Sequence, residues 1–357
     1  MKIALVIDTW FPAIGGGQIN GFEISKILAE KGQRIDIITR NNGIWHEQNI
    51  KGLKIIRLGK KSEPIDNISR LFFLVKAFFI IKKNNYDLVH LHAFLPGLLA
   101  PIIRLFNKPV VFTVHGTRMF EKDPKTSFGF WLEKIILTKI KYDCQISVTR
   151  AFMNFKNVNK NIVYIPNGID LKKFQGVKVP KARYPKILWV GRFDPVKRVD
   201  LLINAMKIVN TEIPQARLTL VGYGSEEQKM KNLVKLLNVK NVEFVGKKEG
   251  LDLIKEYKSS HVFVLPSASE GQPLTIIEAL ASGLPIVATK TGGIPEILQR
   301  SKAILIDSGN TQSLAGAIIK SLTKNEFKAN FTISANKISS WKEVADNTKS
   351  LYQKFVK

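Results

Sequence analysis

Two carboxylates stand eight positions apart in the segment PSASEGQPLTIIEALASGLPIVATKTGGIPEIL, residues Pro266 to Leu298: Glu270 in a loop of small residues and Glu278 in the helix-patterned run after it. The loop follows a buried-strand pattern, His261 to Leu265, and Pro273 suits the first turn of a helix. A helix start offers unpaired N–H groups and the positive end of its dipole, so it favours an anion, and Gly271 lets that anion approach the backbone. Carboxylates repel a phosphate but accept from hydroxyls. One acid beside the helix tip and one within the helix therefore outline a phosphate flanked by hydroxyl-bearing groups, as in a nucleotide sugar.

Cations that could face such a phosphate occur after the first strand pattern of that half, Lys186 to Val190, in VGRFDPVKR. Arg192 supplies a planar fork and Lys197 a point charge, and a strand-end loop sets both on the rim from which the Glu270 loop emerges. Elsewhere such loop cations are usually just solvated. His115 closes the strand pattern Val110 to Val114, placed for hydrogen bonding or proton transfer unless it is structural. His90 and His92 alternate on one strand and share a face, but no third ligand for a metal presents itself. The chain has no Asp-x-Asp, so a leaving diphosphate would rely on cations and a helix dipole instead of a carboxylate-held metal.

The glycine loop Gly15-Gly16-Gly17 lies between a strand, Lys2 to Ile7, and a helical pattern, Phe22 to Glu30. It lacks the third glycine of a dinucleotide fingerprint, and Asp36 sits inside the second strand rather than at its end, which argues against a nicotinamide oxidoreductase. Gly16 and Gly17 still permit a phosphate or sugar beside backbone N–H groups, or form a plain tight turn.

Strand patterns alternate with helical ones along the whole chain. The alternation predicts an α/β protein of two doubly wound Rossmann-like domains facing each other across a cleft, residues 1–180 and 181–340. Ile165-Pro166-Asn167-Gly168 marks the linker, and Trp341 to Lys357 reads as an amphipathic helix that could pack on either domain.

The 357 residues suffice for two cores, and 45% apolar with 24% charged residues describes a folded protein. Its single cysteine, Cys144, excludes an internal disulfide and a thiolate cluster. The apolar opening meets Asp8 too early for a secretory signal, so a cytoplasmic protein is expected. Net charge is +26, with 30 basic and 13 acidic residues in 1–184 against 25 and 16 in 185–357. That imbalance suits an anionic membrane surface or an acidic glycan, or simply reflects a Lys-rich surface; nucleic acid is disfavoured, since no aromatic-interleaved basic tract appears. Leu71 to Lys83, apolar nearly all round, reads as a core helix, whereas Phe128 to Tyr142, with Trp131 among Lys134, Lys139 and Lys141, reads as the membrane-surface segment.

The glutamate-bearing segment, together with VGRFDPVKRVDLLINAM, IPNGID, TVHG and FPAIGGG, resembles family 4 of the retaining glycosyltransferases across nearly the whole chain. The resemblance implies the two-domain B-type fold, with the last helix crossing back onto an acceptor-side first domain. It implies that Arg192 and Lys197 hold the donor diphosphate, with backbone N–H groups near Leu274 and Thr275 and with Gly271 and Gln272 adjoining, that Glu270 holds sugar hydroxyls, and that Glu278 holds the ribose. His115 would bond the transferred sugar, and Gly16 and Gly17 would sit by the diphosphate or the acceptor. It further implies a nucleoside diphosphate sugar as donor, a glycan, lipid-linked carrier or small polyol as acceptor, retention at the anomeric carbon, and no metal or other cofactor. Gln272 replaces a frequent aromatic residue and Arg198-Val199 a frequent Lys-Gly, so the donor sugar stays open. The acceptor would be read by Ile44 to Ser69 and Met119 to Gly129. A sugar-nucleotide epimerase and a non-catalytic sensor or membrane scaffold are the alternatives.

Overall fold

Near-continuous runs of apolar residues such as KIALVI are what a strand needs when both faces of its sheet are covered by helices, and every strand pairing here is parallel. The computed structural model describes residues 1–41, 43, 49–60, 67–121, 127–155, 159–299, 301–324 and 338–356. Its first sheet contains β1 (Lys2–Ile7), β2 (Arg34–Arg40), β3 (Leu53–Leu58), β4 (Leu88–His92), β5 (Val110–Val114), β6 (Cys144–Ser147) and β7 (Ile162–Tyr164), in the order β3-β2-β1-β4-β5-β6-β7. The second contains β8 (Lys186–Arg192), β9 (Arg217–Tyr223), β10 (Val242–Gly246), β11 (Val262–Leu265), β12 (Ile286–Thr289) and β13 (Ile304–Ile306), in the order β10-β9-β8-β11-β12-β13.

Each sheet reverses its strand order once, between β1 and β4 and between β8 and β11. At such a switch point the connections leave to opposite faces and open a crevice at the carboxyl ends of the strands. His92 ends one of these strands and Arg192 another.

The chain divides into two compact units at Gly168 and Ile169, and again at Ile338 and Ser339, with the short stretch Phe120–Lys122 belonging to the second. The second unit begins before residue 181 because Ile169 and Phe174 are already buried in its core. Its later boundary returns the helix Trp341–Gln353 to the first unit, where Val344, Ala345, Leu351 and Tyr352 join Ile3, Leu5, Ile24 and Leu28 in one core. A capping box of Ser340 and Glu343 starts that helix. Gly168 lies under it: a Cβ added there would stand 2.6 Å from the Trp341 nitrogen.

The helix Asn67–Lys83 is not the core helix its composition suggests. Phe73, Ala77 and Ile81, one stripe at helical spacing, are buried, while Leu71, Phe72 and Phe79 are at least 60% exposed. A stripe of this width is all that one helix can lay on a sheet. The helix Phe128–Thr138 likewise buries Phe130, Ile136 and Leu137 and exposes Phe128 and Trp131. Among the described residues no helix is long and apolar enough to cross a membrane. Of the segments expected to read the acceptor, residues 44–48, 61–66 and 122–126 lie outside the described residues.

Replacing Gly168 by Ala sets a methyl group against backbone that cannot rotate away. The substitution should cost about 1–3 kcal/mol, as overpacking does. Ser340→Ala, which only removes a cap, should cost about 1 kcal/mol. Thermal unfolding of the two variants checks this order, and an unchanged melting temperature in Gly168→Ala would show that the helix can move off.

Candidate functional site

In the second unit the site is made by loops that follow β8 and β11. Ala268 N–H donates to the Val196 carbonyl at 2.8 Å, tying the two loops together. Across that tie Lys197 Nζ lies 2.7 Å from Glu270 Oε1, with Glu270 only 8% exposed. The structure thus brings together a cation and an acid separated by more than seventy positions in the chain. Arg192 points elsewhere: its Nε and Nη2 reach Asp194 Oδ2 at 3.0 and 2.9 Å, and its side chain is half exposed.

The Glu270 loop is clamped from behind by residues after β12. Thr289 Oγ1 donates to the Ser267 carbonyl (2.6 Å), Thr291 Oγ1 to the Ala268 carbonyl (3.0 Å) and Gly293 N–H to the Gly271 carbonyl (2.9 Å). Gly292 has φ +50°, and a Cβ on it would fall 1.6 Å from the Glu270 carbonyl oxygen, so only glycine fits. The clamp went unread in the sequence, where its signal was the Gly-Gly doublet of KTGG. A matching contact backs the Arg192 strand end, where a Cβ on Gly222 (φ +148°) would lie 1.8 Å from the Gly191 carbonyl oxygen.

Beyond Glu270 the helix Leu274–Ala281 begins with Pro273 as its N-cap, one position later than expected. Ile276 and Ile277 N–H groups both donate to the Pro273 carbonyl, at 3.2 and 3.4 Å. The N–H groups of Leu274 and Thr275 precede any intrahelical acceptor, so the helix tip keeps its anion-attracting character. Gln272 is half-buried beside it.

Glu278 projects from the same helix and accepts a 2.8 Å hydrogen bond at Oε2 from the hydroxyl of Tyr257, on the helix Gly250–Ser259. Burial pushes its carboxyl up from its ordinary 4.5 to about 7, and the bond from Tyr257 only partly opposes this. Burial holds the Tyr257 phenol well above its ordinary range, so it remains a donor. Tyr257 was invisible as a site residue because nothing in its spacing sets it apart from a core aromatic.

In the first unit the glycine run is a helix start rather than a loop. The helix Gly16–Glu30 begins with Gly15 as N-cap, so Gly16 and Gly17 occupy its first turn. Gly17 faces His115, and a Cβ there would stand 3.1 Å from His115 Cδ2. His115 Nε2 lies 3.0 Å from His92 Nδ1, and burial lowers the His115 pKa to about 4, leaving the ring neutral. The next residues are anchored on the buried Glu133, whose Oε1 accepts from Thr117 Oγ1 (2.5 Å) and Arg118 N–H (2.8 Å). Among the described residues no three His, Cys, Asp or Glu side chains converge on a metal position.

Residues 14–173 match the family model described as Glycosyltransferase Family 4, and residues 172–338 the model described as Glycosyl transferases group 1. The chain belongs to the group 1 glycosyltransferases. Its two Rossmann-like domains have the B-type glycosyltransferase fold. N-acetyl-alpha-D-glucosaminyl L-malate synthase of Bacillus anthracis is 28% identical over 92% of this chain and 90% of its own. The UDP-Gal:alpha-D-GlcNAc-diphosphoundecaprenol alpha-1,3-galactosyltransferase of Escherichia coli is 27% identical over 89% of this chain and 88% of its own. Among solved structures, sucrose-phosphate synthase of Thermosynechococcus elongatus superposes with a TM-score of 0.83 at 26% identity, covering 99% of this chain and 98% of that one.

In this group 1 glycosyltransferase Glu278 makes stability depend on pH. Its pKa is raised on folding, so its contribution is present below pH 4.5 and lost as pH rises through about 7, where the buried carboxyl ionises. Any hydroxyl that donates a hydrogen bond to this carboxylate would favour its ionised form and reverse the loss. Glu278→Gln should therefore melt higher than the native protein at pH 8 without ligand, and no higher at pH 4. At pH 8 it should also bind nucleoside diphosphate about ten- to hundredfold more weakly, the loss of one charge-assisted hydrogen bond. Equal thermal shifts for the two proteins with nucleoside diphosphate at pH 8 would remove Glu278 from the donor site.

Proposed function

We propose that the protein is a retaining, metal-independent glycosyltransferase that moves a sugar from a nucleoside diphosphate sugar to a hydroxyl of a glycan, a lipid-linked carrier or a small polyol. The observation that carries this reading is the Lys197–Glu270 pair at the tip of the helix that holds Glu278. An incoming donor answers both charges. Its diphosphate takes the ammonium of Lys197, its sugar hydroxyls take the carboxylate of Glu270, and its ribose hydroxyls take Glu278. A buried carboxylate that loses its cation must gain other donors, so the exchange requires phosphate and hydroxyls in one ligand. The Escherichia coli relative, named for a UDP-sugar donor, supports the donor class.

Catalysis is then positional and electrostatic. Lys197 and the N–H groups of Leu274 and Thr275 stabilise charge growing on the leaving diphosphate, where other enzymes use a metal, and Arg192 joins them only by turning away from Asp194. Glu270 and His115 orient the sugar. Front-side attack, in which the leaving phosphate accepts the acceptor's proton, accounts for retention without a protein base. Lys197→Met should lower kcat/KM by about 10²–10³-fold, the scale of losing one preorganised donor to a developing anion. The native rate should be unchanged by a chelator, and the product should keep the donor's anomeric configuration by NMR. Inversion of configuration, a rate lost to chelation, or epimerisation of donor alone each contradicts this reading.

A second observation favours an anionic membrane surface, at the inner face of the membrane, as the place of work. Exposed Leu71, Phe72 and Phe79 sit on the helix Asn67–Lys83, Phe128 and Trp131 on Phe128–Thr138, and Leu105 just after the helix Ala100–Arg104, all in the first unit, which is also the more basic part of the chain. Exposed apolar side chains among lysines fit the headgroup boundary. Vesicles containing phosphatidylglycerol should sediment the protein at low salt, less of it at high salt, and much less of the Phe72→Ser/Trp131→Ser variant. Equal sedimentation with purely zwitterionic vesicles would remove the electrostatic part of this reading.

A further inference from the structure

Two buried histidines of the first unit, His90 and His92, and the half-buried His115 form one line of hydrogen bonds. Alternation along β4 puts His90 and His92 on one face, and β5 beside it supplies Thr113 and leads into His115. His115 Nε2 lies 3.0 Å from His92 Nδ1, and His92 Nε2 lies 3.3 Å from His90 Nδ1. His90 Nδ1 is also 2.5 Å from the hydroxyl of Tyr352, on the helix Trp341–Gln353, while His90 Nε2 is 2.6 Å from Thr113 Oγ1. The far end of the line is bare: His115 Nδ1 is buried and has no partner among the described residues.

Burial keeps all three rings neutral, lowering His90 to about 3, His115 to about 4 and His92 well below its ordinary value. A neutral imidazole has one N–H and one lone pair, so a choice at one end of the line dictates the rest. If Tyr352 donates to His90 Nδ1, then His90 Nε2–H donates to Thr113, and His92 Nε2–H points at the same His90 nitrogen. His115 Nε2–H then donates to His92, and His115 Nδ1 is left as a lone pair. The opposite polarity makes every ring an Nδ1–H tautomer and ends with a donor at His115 Nδ1. Each polarity leaves one hydroxyl hydrogen over, that of Thr113 in the first and that of Tyr352 in the second. The phenol is the stronger donor and the Nε2–H tautomer the more stable neutral imidazole, so both preferences select the first polarity.

We propose that Tyr352 is a positioning residue which, through His90 and His92, holds His115 in its Nε2–H tautomer and so makes the unpartnered Nδ1 an acceptor for a substrate hydroxyl. The last helix of the chain thereby sets which hydrogen bond the site can make. The proposal rests on the reading of His115 as a sugar-binding residue for its consequence, but not for the tautomer itself.

The two parts separate experimentally. In long-range 1H–15N correlation spectra of histidine-labelled, ligand-free protein, His115 should show an unprotonated Nδ1 and a protonated Nε2; an Nδ1–H signature overturns the proposal whatever any variant does. Tyr352→Phe, which keeps the ring and removes the hydroxyl, should shift the His90 and His115 signals toward a mixture of tautomers. It should also lower kcat/KM by roughly tenfold, the scale on which partners that fix a histidine tautomer act. In a His92→Phe background, where the line is cut, the same substitution should leave the His115 signals unmoved. Native-like His115 signals in Tyr352→Phe refute the relay. A tautomer shift in Tyr352→Phe with native kcat/KM, together with an active His115→Ala, supports the relay and refutes the sugar contact instead.

Discussion

An ammonium and a mostly buried carboxylate, Lys197 and Glu270 at 2.7 Å, are the constraint around which the second unit is arranged. At that depth the Glu270 carboxylate needs a cation, and the partly exposed Lys197 supplies it. The fold meets this by joining the loops directly, through Ala268 N–H and the Val196 carbonyl, and by buttressing the Glu270 loop with Thr289, Thr291, Gly292 and Gly293. Three successive strand ends, of β8, β11 and β12, thus support one ion pair at the topological switch point.

Such a site is stable enough to persist but not comfortable. Glu278 is raised to about 7 by burial with a single hydroxyl donor, and Arg192 is held outside by Asp194 instead of facing the helix tip. Groups left partly satisfied in the folded protein are groups a ligand can satisfy, and ligand affinity comes from that deficit. His115 in the first unit follows the same logic, with a buried ring nitrogen that no group among the described residues answers.

Much of this was legible in the residues. Parallel sheets announce themselves as apolar runs, and the glutamates eight positions apart with a proline and glycine between them marked a helix tip suited to phosphate and hydroxyls. What stayed hidden was partnership. Tyr257 beside Glu278, Glu133 beneath the residues after His115, and Tyr352 at the end of the histidine line are ordinary members of their helices by spacing. The helix Asn67–Lys83 misled for a related reason: its composition is apolar all round, but only the stripe of Phe73, Ala77 and Ile81 meets the sheet.

The sequence by itself therefore determined the elements, their parallel arrangement and the kinds of side chain at the strand ends, because each of these follows from periodicity and from residue chemistry acting over a few positions. Tertiary structure alone decided that Lys197 meets Glu270, that Gly292 must be glycine, that the last helix returns to the first unit, and that His90, His92 and His115 touch in line. Those contacts join residues from distant parts of the chain. Their geometry is set by which strands neighbour each other in a sheet and how closely their loops approach, and no local pattern encodes either.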